Sequence, residues 1–528
     1  MAGLSHDLVL PQLVHARGMS ADGPRPFLSE IGGEWQSYAQ IDVAARRWAG
    51  ILRGLGVAPN DRVAVMLPTT INAMLVWLAC GWLRAYEVPV HAEYRGSILR
   101  YLLNNSGAKV MVVAERFLEA LWGLEDELRT LETLVVVPIV GSGNWRAAVP
   151  LAWARHVLCS DDLKSEEFPA DEGPSYASVA SIIYTSGTTG PAKGVMVPWR
   201  LFYKHAEIFF PLKDVDNTDT FYCPLPLSHI AGRVGTYNMA LAGGRIVLRQ
   251  KFSIEAFWSD IEKHDCTCTC LIGSIAELLW RRPPTDADSR TPLRKVLMGP
   301  LIPQVEEFKA RFGIRVRTQF GMTETAAPLV SGIKDAWDLA NAQSCGRVLA
   351  GFQCRIADEN DEPVESGAVG ELLIRSDDPW LIMSGYWEDA ENTARAFRNQ
   401  WFHTGDAFRC DAQGNYYFVD RIKDTIRRRG ENISSFFVEQ AVAEHPGVAE
   451  CAVVGIESSF TEQDIHAFVV TKPDSHIEAP TIEEFLQKKL PAFMIPRFWT
   501  FVAELPKTPT LRVRKIELRQ RLLAERKK

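Results

Sequence analysis

Apolar positions in the first half of the chain switch between two periods. Ile41, Ala44, Trp48, Ile51, Leu52 and Leu55 recur at helical spacing and predict one buried helix face, closed by Gly56. Asp61-Arg62-Val63-Ala64-Val65-Met66-Leu67 then reads as a strand, which completes one helix-to-strand unit. Residues 63–83 are uncharged throughout and match a membrane span in length. Pro68, Thr69, Thr70 and Asn72 interrupt them, so a buried strand, a turn and a core helix are expected instead. The apolar run 179–184 predicts another strand. Alternation of this kind predicts an α/β fold of parallel-sheet subdomains.

The pattern changes beyond residue 330. The turn-like Asp358-Glu359-Asn360-Asp361 is followed, after Pro363 and Gly367, by the strand-like Gly370-Glu371-Leu372-Leu373-Ile374, which predicts a β-rich subdomain. From residue 421 to 528 come strand patterns at 451–454 and 467–470 and a helical one at 482–490, enough for a compact α+β domain. The expected organisation is a large N-terminal domain over 1–420 and a small C-terminal domain over 421–528.

At 528 residues the chain can bury several cores, and its net charge of -7 gives no electrostatic reason to expect nucleic acid. The N-terminus has neither a basic start nor an apolar core of signal-peptide length, so a cytoplasmic protein without a membrane span is expected. Ten cysteines without a Cys-x-x-Cys pair fit reduced thiols. Cys266, Cys268 and Cys270 alternate with threonines, which favours a buried strand face over a soft-metal site, since no histidine follows at finger-like spacing. Nothing in the sequence sets the oligomeric state, and a homo-oligomer stays open.

The candidate chemistry begins at the end of the 179–184 strand. Tyr184-Thr185-Ser186-Gly187-Thr188-Thr189-Gly190-Pro191-Ala192-Lys193-Gly194 is a Gly/Ser/Thr loop with one lysine. Its glycines let backbone N–H groups converge on an anion, its hydroxyls donate further hydrogen bonds, and Lys193 balances charge, so it is built to hold phosphate. The P-loop of kinases and GTPases needs Gly-Lys-Ser/Thr in direct succession. Here Pro191 and Ala192 separate Gly190 from Lys193, so this is a different phosphate loop.

Two further clusters, Gln319-Phe320-Gly321-Met322-Thr323-Glu324-Thr325 and Trp401-Phe402-His403-Thr404-Gly405-Asp406, follow in order, then Asp420-Arg421-Ile422-Lys423-Asp424 and Leu505-Pro506-Lys507-Thr508-Pro509-Thr510. With these motifs the chain resembles, over nearly its whole length, the adenylate-forming superfamily of acyl-CoA synthetases. Arg429-Gly430-Glu431-Asn432-Ile433-Ser434 and the segment 402–406 are most similar to the carnitine and crotonobetaine-CoA ligase branch. The resemblance implies an AMP-forming acid-thiol ligase whose co-substrates are ATP, CoA and a carboxylic acid, with Mg²⁺ as cofactor and a mobile C-terminal domain.

By that resemblance Thr185, Ser186, Gly187, Thr188, Thr189, Gly190 and Lys193 would hold the β- and γ-phosphates, and Thr323 would bond the α-phosphate. Glu324 would help hold Mg²⁺; its bland alternative is an N-cap partner. Phe320 and the Gly299-Pro300 turn would flank the adenine, and Gln319, Gly321 and Met322 would also belong to the nucleotide site. Asp406 and Arg421 would take the ribose hydroxyls, although a residue after Gly405 can also be a simple turn or cap residue. Lys423 would be the hinge, and Gly430 would line the pantetheine tunnel. Arg429 stands where the family has a second glycine, and Arg427-Arg428-Arg429 reads either as a solvated basic turn or as a patch for the CoA phosphates.

His229 falls where acyl-CoA synthetases place an aromatic or histidine beside the acyl and thiol path; a histidine after a strand is otherwise structural. Residues 226–244 contain no Asp or Glu, which disfavours an amino acid and weakens carnitine as substrate. Tyr237 could wall a cation, and Arg233 could reach a second polar or anionic group on the substrate or extend to solvent. A fatty or cyclic carboxylic acid is the favoured class. Near the C-terminus the family's catalytic lysine is replaced by Arg512. The favoured reading keeps Arg512, with Lys193, Thr323 and His229, in the catalytic set. Alternatives are that Lys507 or Lys515 takes over, or that the chain binds nucleotide or acyl-adenylate with impaired adenylation.

Overall fold

The computed structural model describes residues 8–138, 157–170, 173–185, 192–332, 335, 337–422, 424, 426–428, 431–457, 463–473, 475, 477–487, 489–490, 492–508 and 513–525. They fall into two compact units, residues 1–353 with 375–397 and residues 354–374 with 398–528.

The first unit is built on two seven-stranded sheets. One runs Val157–Cys159, Thr133–Val137, Val110–Ala114, Arg62–Met66, Tyr86–Pro89, Val179–Thr185, Lys193–Pro198. Its neighbours are parallel except the last two, an antiparallel hairpin in which Thr185 pairs with Lys193. The other runs Arg315–Arg317, Lys295–Gly299, Cys268–Ile272, Thr220–Cys223, Arg245–Leu248, Pro26–Glu30, Gln36–Ser37, again parallel apart from its last pair.

The uncharged run resolves as expected into the strand Arg62–Met66 and the helix Ile71–Trp82. That helix is buried almost all round, which explains an apolar composition without a membrane. Among the described residues no helix is long and apolar enough to cross one. The helix Tyr38–Gly54 starts from a Ser37/Gln40 capping box and stops before Gly56, whose φ of 86° only glycine adopts without cost. Cys266, Cys268 and Cys270 are buried at an interior strand, and burial pushes their thiols up. No metal-ligating cluster occurs among the described residues.

The second unit holds the β-rich strands expected beyond residue 330, Phe352–Ala357, Val369–Ser376, Phe402–Cys410 and Tyr416–Arg421, in antiparallel succession where Val369–Ser376, Phe402–Cys410 and Tyr416–Arg421 meet. It also holds Val448–Glu457, Gln463–Thr471 and Phe498–Phe501 with the helices Ser435–Ala443, Ala479–Gln487 and Lys515–Glu525. Hydrogen bonds cross the expected cut after residue 420. Asp420 Oδ2 accepts from Ser435 N at 2.6 Å and Ser435 Oγ at 2.7 Å, which sews the strand Tyr416–Arg421 to the first turn of the helix Ser435–Ala443. The proposed hinge, Lys423, lies outside the described residues.

Three carboxylates of this unit make it acid-sensitive. Burial alone would raise Asp361, Glu371 and Asp411, but hydrogen-bond donors outweigh it: Asn399 for Asp361, His403 and Gly405 N–H for Glu371, Asn415 and Tyr417 for Asp411. Asp411 is held down to about 2. Folded carboxyls that lose protons more readily than unfolded ones contribute fully above about pH 4–5 and lose that contribution as pH falls through the folded value. Thermal unfolding should therefore show the second unit losing stability between about pH 5 and about pH 2; a flat transition over that range would contradict these bonds.

Candidate active site

Residues 186–191, including Ser186, Gly187, Thr188, Thr189 and Gly190, lie outside the described residues, but the two strands that carry them fix where the loop leaves. It closes an antiparallel hairpin at the edge of a parallel sheet, not the strand-to-helix turn of a P-loop. A second segment locks onto that hairpin. Met196 N–H donates to Gly385 O, Ser384 N–H to Met196 O, and Trp387 N–H to Gly194 O at 2.7 Å. Gly194 permits the approach, since a Cβ there would lie 2.8 Å from Ile182 Cγ2 and 3.2 Å from Trp387 Cβ.

This clamp places Tyr386 at the functional end. The Lys193 ammonium lies 4.7 Å from the centroid of the Tyr386 ring, and the Tyr386 hydroxyl donates to Glu324 Oε1 at 3.2 Å. Met383 N–H donates to the Glu324 carbonyl at 2.7 Å, which ties the same segment to the third element. Burial and the Glu324 charge push the Tyr386 phenol up, so it stays a donor. Lys193 and Glu324, 131 positions apart in sequence by subtraction of their numbers, thus share one aromatic partner. Glu324 is buried, as are Thr323 and Thr325, within the turn joining Gln319–Met322 to Ala326–Val330. The cap-partner reading of Glu324 finds no helix here, because strands flank it on both sides. Gly321 permits that tight hairpin, where a Cβ would meet Ala326 O at 2.1 Å.

The residues expected around adenine also adjoin. The peptide Gly299–Pro300 is cis, and a Cβ on Gly299 would meet nothing nearer than Gln319 O at 3.8 Å. The surface over Gly299 is therefore open, with partly exposed Gln319, Phe320 and Met322 beside it. On the expectation that Gly299 borders a nucleotide, Gly299→Val should fill that space and raise KM for ATP several-fold at unchanged thermal stability; an unaltered KM would reject that expectation.

His229 caps the helix Ile230–Ala242, with Nδ1 accepting from Ala231 N–H at 3.2 Å. It acts on His205, a fully enclosed ring whose pKa is held down to about 3 by burial first and then by the His229 charge. The Gln319 amide nitrogen lies 2.8 Å from His205 Nε2, so the neutral ring accepts there. No sequence pattern singles out His205, which sits on the buried face of the helix Trp199–Phe209.

Two expectations are corrected. Arg233 is only 2% exposed, and its nitrogens donate to Glu87 Oε2 at 2.5 Å, Glu87 Oε1 at 2.6 Å, Ser181 Oγ at 3.2 Å and the Leu227 carbonyl, with the guanidinium stacked on Trp77. It neither extends to solvent nor presents its fork to a substrate, because a buried carboxylate already fills it. Tyr237 is fully buried with its hydroxyl donating to Leu8 O at 2.6 Å, and this removes it as an open cage wall.

In the second unit Asp406 is 1% exposed, and Arg421 Nε approaches its Oδ1 at 2.7 Å across the strand pair Phe402–Cys410 and Tyr416–Arg421. The turn that presents Asp406 is held from below: Glu371 Oε1 accepts from Gly405 N–H at 2.8 Å, and Glu371 Oε2 lies 3.0 Å from His403 Nδ1. Gly405 has a φ of 70°, as such a turn requires. Lys515 is no substitute catalytic cation, since its Nζ donates to Ser435 Oγ at 2.6 Å and pairs with buried Glu439 at 2.9 Å. Lys507 pairs with Glu450 at 2.6 Å. Arg428, of the basic turn, pairs with Asp464 at 3.6 Å. Arg429, Gly430 and Arg512 lie outside the described residues.

Comparison with known proteins gives one consistent picture. A sequence model of the AMP-binding enzyme family matches residues 19–387, and one of the AMP-binding enzyme C-terminal domain matches residues 438–511. A crotonobetaine/carnitine–CoA ligase of Salmonella paratyphi A is 28% identical over 503 residues, covering 89% of this chain and 90% of its own. Among solved structures, ATP-bound MatB from Rhodopseudomonas palustris aligns with a TM-score of 0.83 at 23% identity over 97% of this chain and 98% of its own. The anthranilate CoA ligase AuaEII, in complex with anthranoyl-AMP, aligns with a TM-score of 0.81 at 22% identity over 98% of each chain.

Proposed function

Since the chain belongs to the AMP-binding enzyme family, we propose that it is an acyl-CoA ligase that converts a carboxylic acid and ATP to an acyl-adenylate and pyrophosphate, then to the CoA thioester and AMP. A free carboxylate resists nucleophiles because of its charge and because oxide does not leave. Attack of the acid's carboxylate oxygen on the α-phosphorus forms the mixed anhydride and breaks the bond to pyrophosphate. The CoA thiolate then attacks the acyl carbon, and AMP leaves with the bonding pair. The first step brings anions together, so it needs cations and oriented donors already in place.

The observation that carries this reading is the Lys193–Tyr386–Glu324 cluster at the base of the Gly/Ser/Thr hairpin. Lys193 and residues 185–190 would hold the β- and γ-phosphates, and Thr323 the α-phosphate. Glu324 offers a lone hard carboxylate, which fits an ion carried in on phosphate oxygens better than a caged one, so it would hold Mg²⁺. That ion supplies charge neutralisation along the triphosphate. Gly299, Pro300 and residues 319–322 would take the base, and Asp406 with Arg421 the ribose. His229 would stand beside the acyl and thiol path, while Lys423 would be the hinge and Arg429 and Gly430 would meet CoA. Arg512 would bridge carboxylate and phosphate in place of lysine. Lys507 and Lys515 pair with Glu450 and Glu439, which favours Arg512 over either of them for that task.

The buried carboxylate near the segment 226–244, Glu87, is paired with Arg233 and so is taken from a substrate ammonium. This supports an acid without a cationic group. The alternative of a binder with impaired adenylation draws no support from the relatives. Pyrophosphate release by the purified protein with ATP, Mg²⁺ and fatty, aryl, cyclic and betaine acids, with and without CoA, tests the reading. Acid-dependent release that rises with CoA is expected. Silence across the panel with ATP still bound would reject it, and Arg512→Ala should cost about 10²–10³ in that rate.

A further inference from the structure

The described chain contains a buried arginine without a counter-ion. Arg317, at the end of the strand Arg315–Arg317, is 3% exposed, and its Nε and Nη1 have no hydrogen-bond partner. No ion pair or hydrogen bond to its side chain occurs among the described residues. Isolated buried charges cost several kcal/mol and are retained where something completes them.

The surroundings point to what completes it. Arg315, Arg317 and Gln319 all face the helix Trp199–Phe209 and the turn after it. Arg315 lies over Trp337, which stacks on Phe210; Arg317 feels Asp214; Gln319 meets His205. Asp214 is itself engaged, accepting from Trp337 Nε1 at 2.9 Å. Gln319 Oε1 and His205 Nδ1 are also buried without partners. Unsatisfied donors and an acceptor thus run from Arg317 past Gln319 to His205, which lies in the field of His229, the residue placed beside the acyl path. Two strand residues span about 6–7 Å, the reach of a short acyl chain.

We propose that Arg317 binds a second carboxylate at the far end of the acyl substrate, so that the preferred acids are dicarboxylic. This rests on the ligase reading and gives to Arg317 the anion-binding part that Arg233, closed by Glu87, cannot play. Burial lowers the Arg317 pKa, which Asp214 partly restores, to about 10, so the guanidinium is charged at neutral pH. The inner carboxylate would react, while the outer one would take the planar fork, with the Gln319 and His205 atoms beside the chain between them.

The test compares kcat/KM for a homologous series of α,ω-dicarboxylic acids with length-matched monocarboxylic acids, in the full-length protein and in Arg317→Met and Arg317→Lys. The wild type should prefer a diacid. Arg317→Met should lower diacid kcat/KM by about 100-fold, mainly through KM, and leave the monoacid value unchanged or raised; Arg317→Lys should keep part of the preference. Should Arg317→Met fail to fold, the wild-type ratio and Arg317→Lys still decide. Turnover of monoacids with rejection of diacids, or equal loss of both in Arg317→Met, overturns the inference and leaves the ligase standing. No acid-dependent pyrophosphate release with any acid rejects the ligase reading, and the inference with it.

Discussion

Arg233→Met should destabilise the first unit by about 3–5 kcal/mol, the cost of leaving a buried charge without its partner. Glu87 is 1% exposed and receives two guanidinium bonds plus one from Ser181 Oγ at 2.9 Å. Removing Arg233 strips that carboxylate of both bonds, frees the Leu227 carbonyl and empties the face of Trp77. The double variant Arg233→Met with Glu87→Met should regain most of the loss, because an apolar pair of similar volume avoids desolvating two ions. The pair also has a positional consequence. It joins the strand Tyr86–Pro89, the strand Val179–Thr185 that feeds the phosphate hairpin, and the turn before His229. The double variant, though stable, should therefore bind ATP normally while its acyl and thiol steps slow. A chain of this size need not unfold in two states, so the ordering of melting temperatures is the readout. A single variant as stable as wild type, or a double variant worse than the single, would mean that the ion pair is incidental.

That pair also shows where sequence reading stops. Local patterns located the elements well. Helical spacing over residues 41–55 matches the helix Tyr38–Gly54, with Leu55 just past its end, and the run 63–83 divides into Arg62–Met66 and Ile71–Trp82 at its Pro-Thr-Thr interruption. The Gly/Ser/Thr stretch does follow a strand, because short-range turn chemistry is written in adjacent residues. Partnerships between distant segments are not written there. Arg233 and Glu87 are 146 positions apart, and nothing near Arg233 announces a carboxylate. The absence of acids in residues 226–244 was legible, but the neighbour that matters comes from another strand. Tyr386 was missed for the same reason: it reaches Lys193 through a bridge between residue 195 and itself. Asp420 accepts from the first turn of a helix 15 positions on, a tie across the expected boundary that no local pattern announces. No sequence pattern singles out Arg317, and its burial sets it apart.

Glu324→Gln should lower the rate of acid-dependent pyrophosphate release by about 10²–10³ while the protein stays folded. The substitution is close to isosteric, and its amide oxygen can still accept from the Tyr386 hydroxyl, so the packing that joins Glu324 to the hairpin persists. What it removes is one negative charge at a buried position joined through Tyr386 to Lys193. If that charge holds a cation against the triphosphate, the variant should need more Mg²⁺ for half-maximal rate, and raising Mg²⁺ should recover part of the loss. Tyr386→Phe separates the two parts of the cluster. It deletes the hydroxyl bonded to Glu324 and keeps the ring beneath Lys193, so a smaller loss of about tenfold is expected, in line with one hydrogen bond to a charged group. Because both substitutions act on one group, the pair together should cost less than the product of the two. A Glu324→Gln protein that keeps its full rate and Mg²⁺ dependence but melts lower would reduce Glu324 to an anchor for Tyr386. The phosphate chemistry would then rest on Lys193 and the hydroxyls of the hairpin.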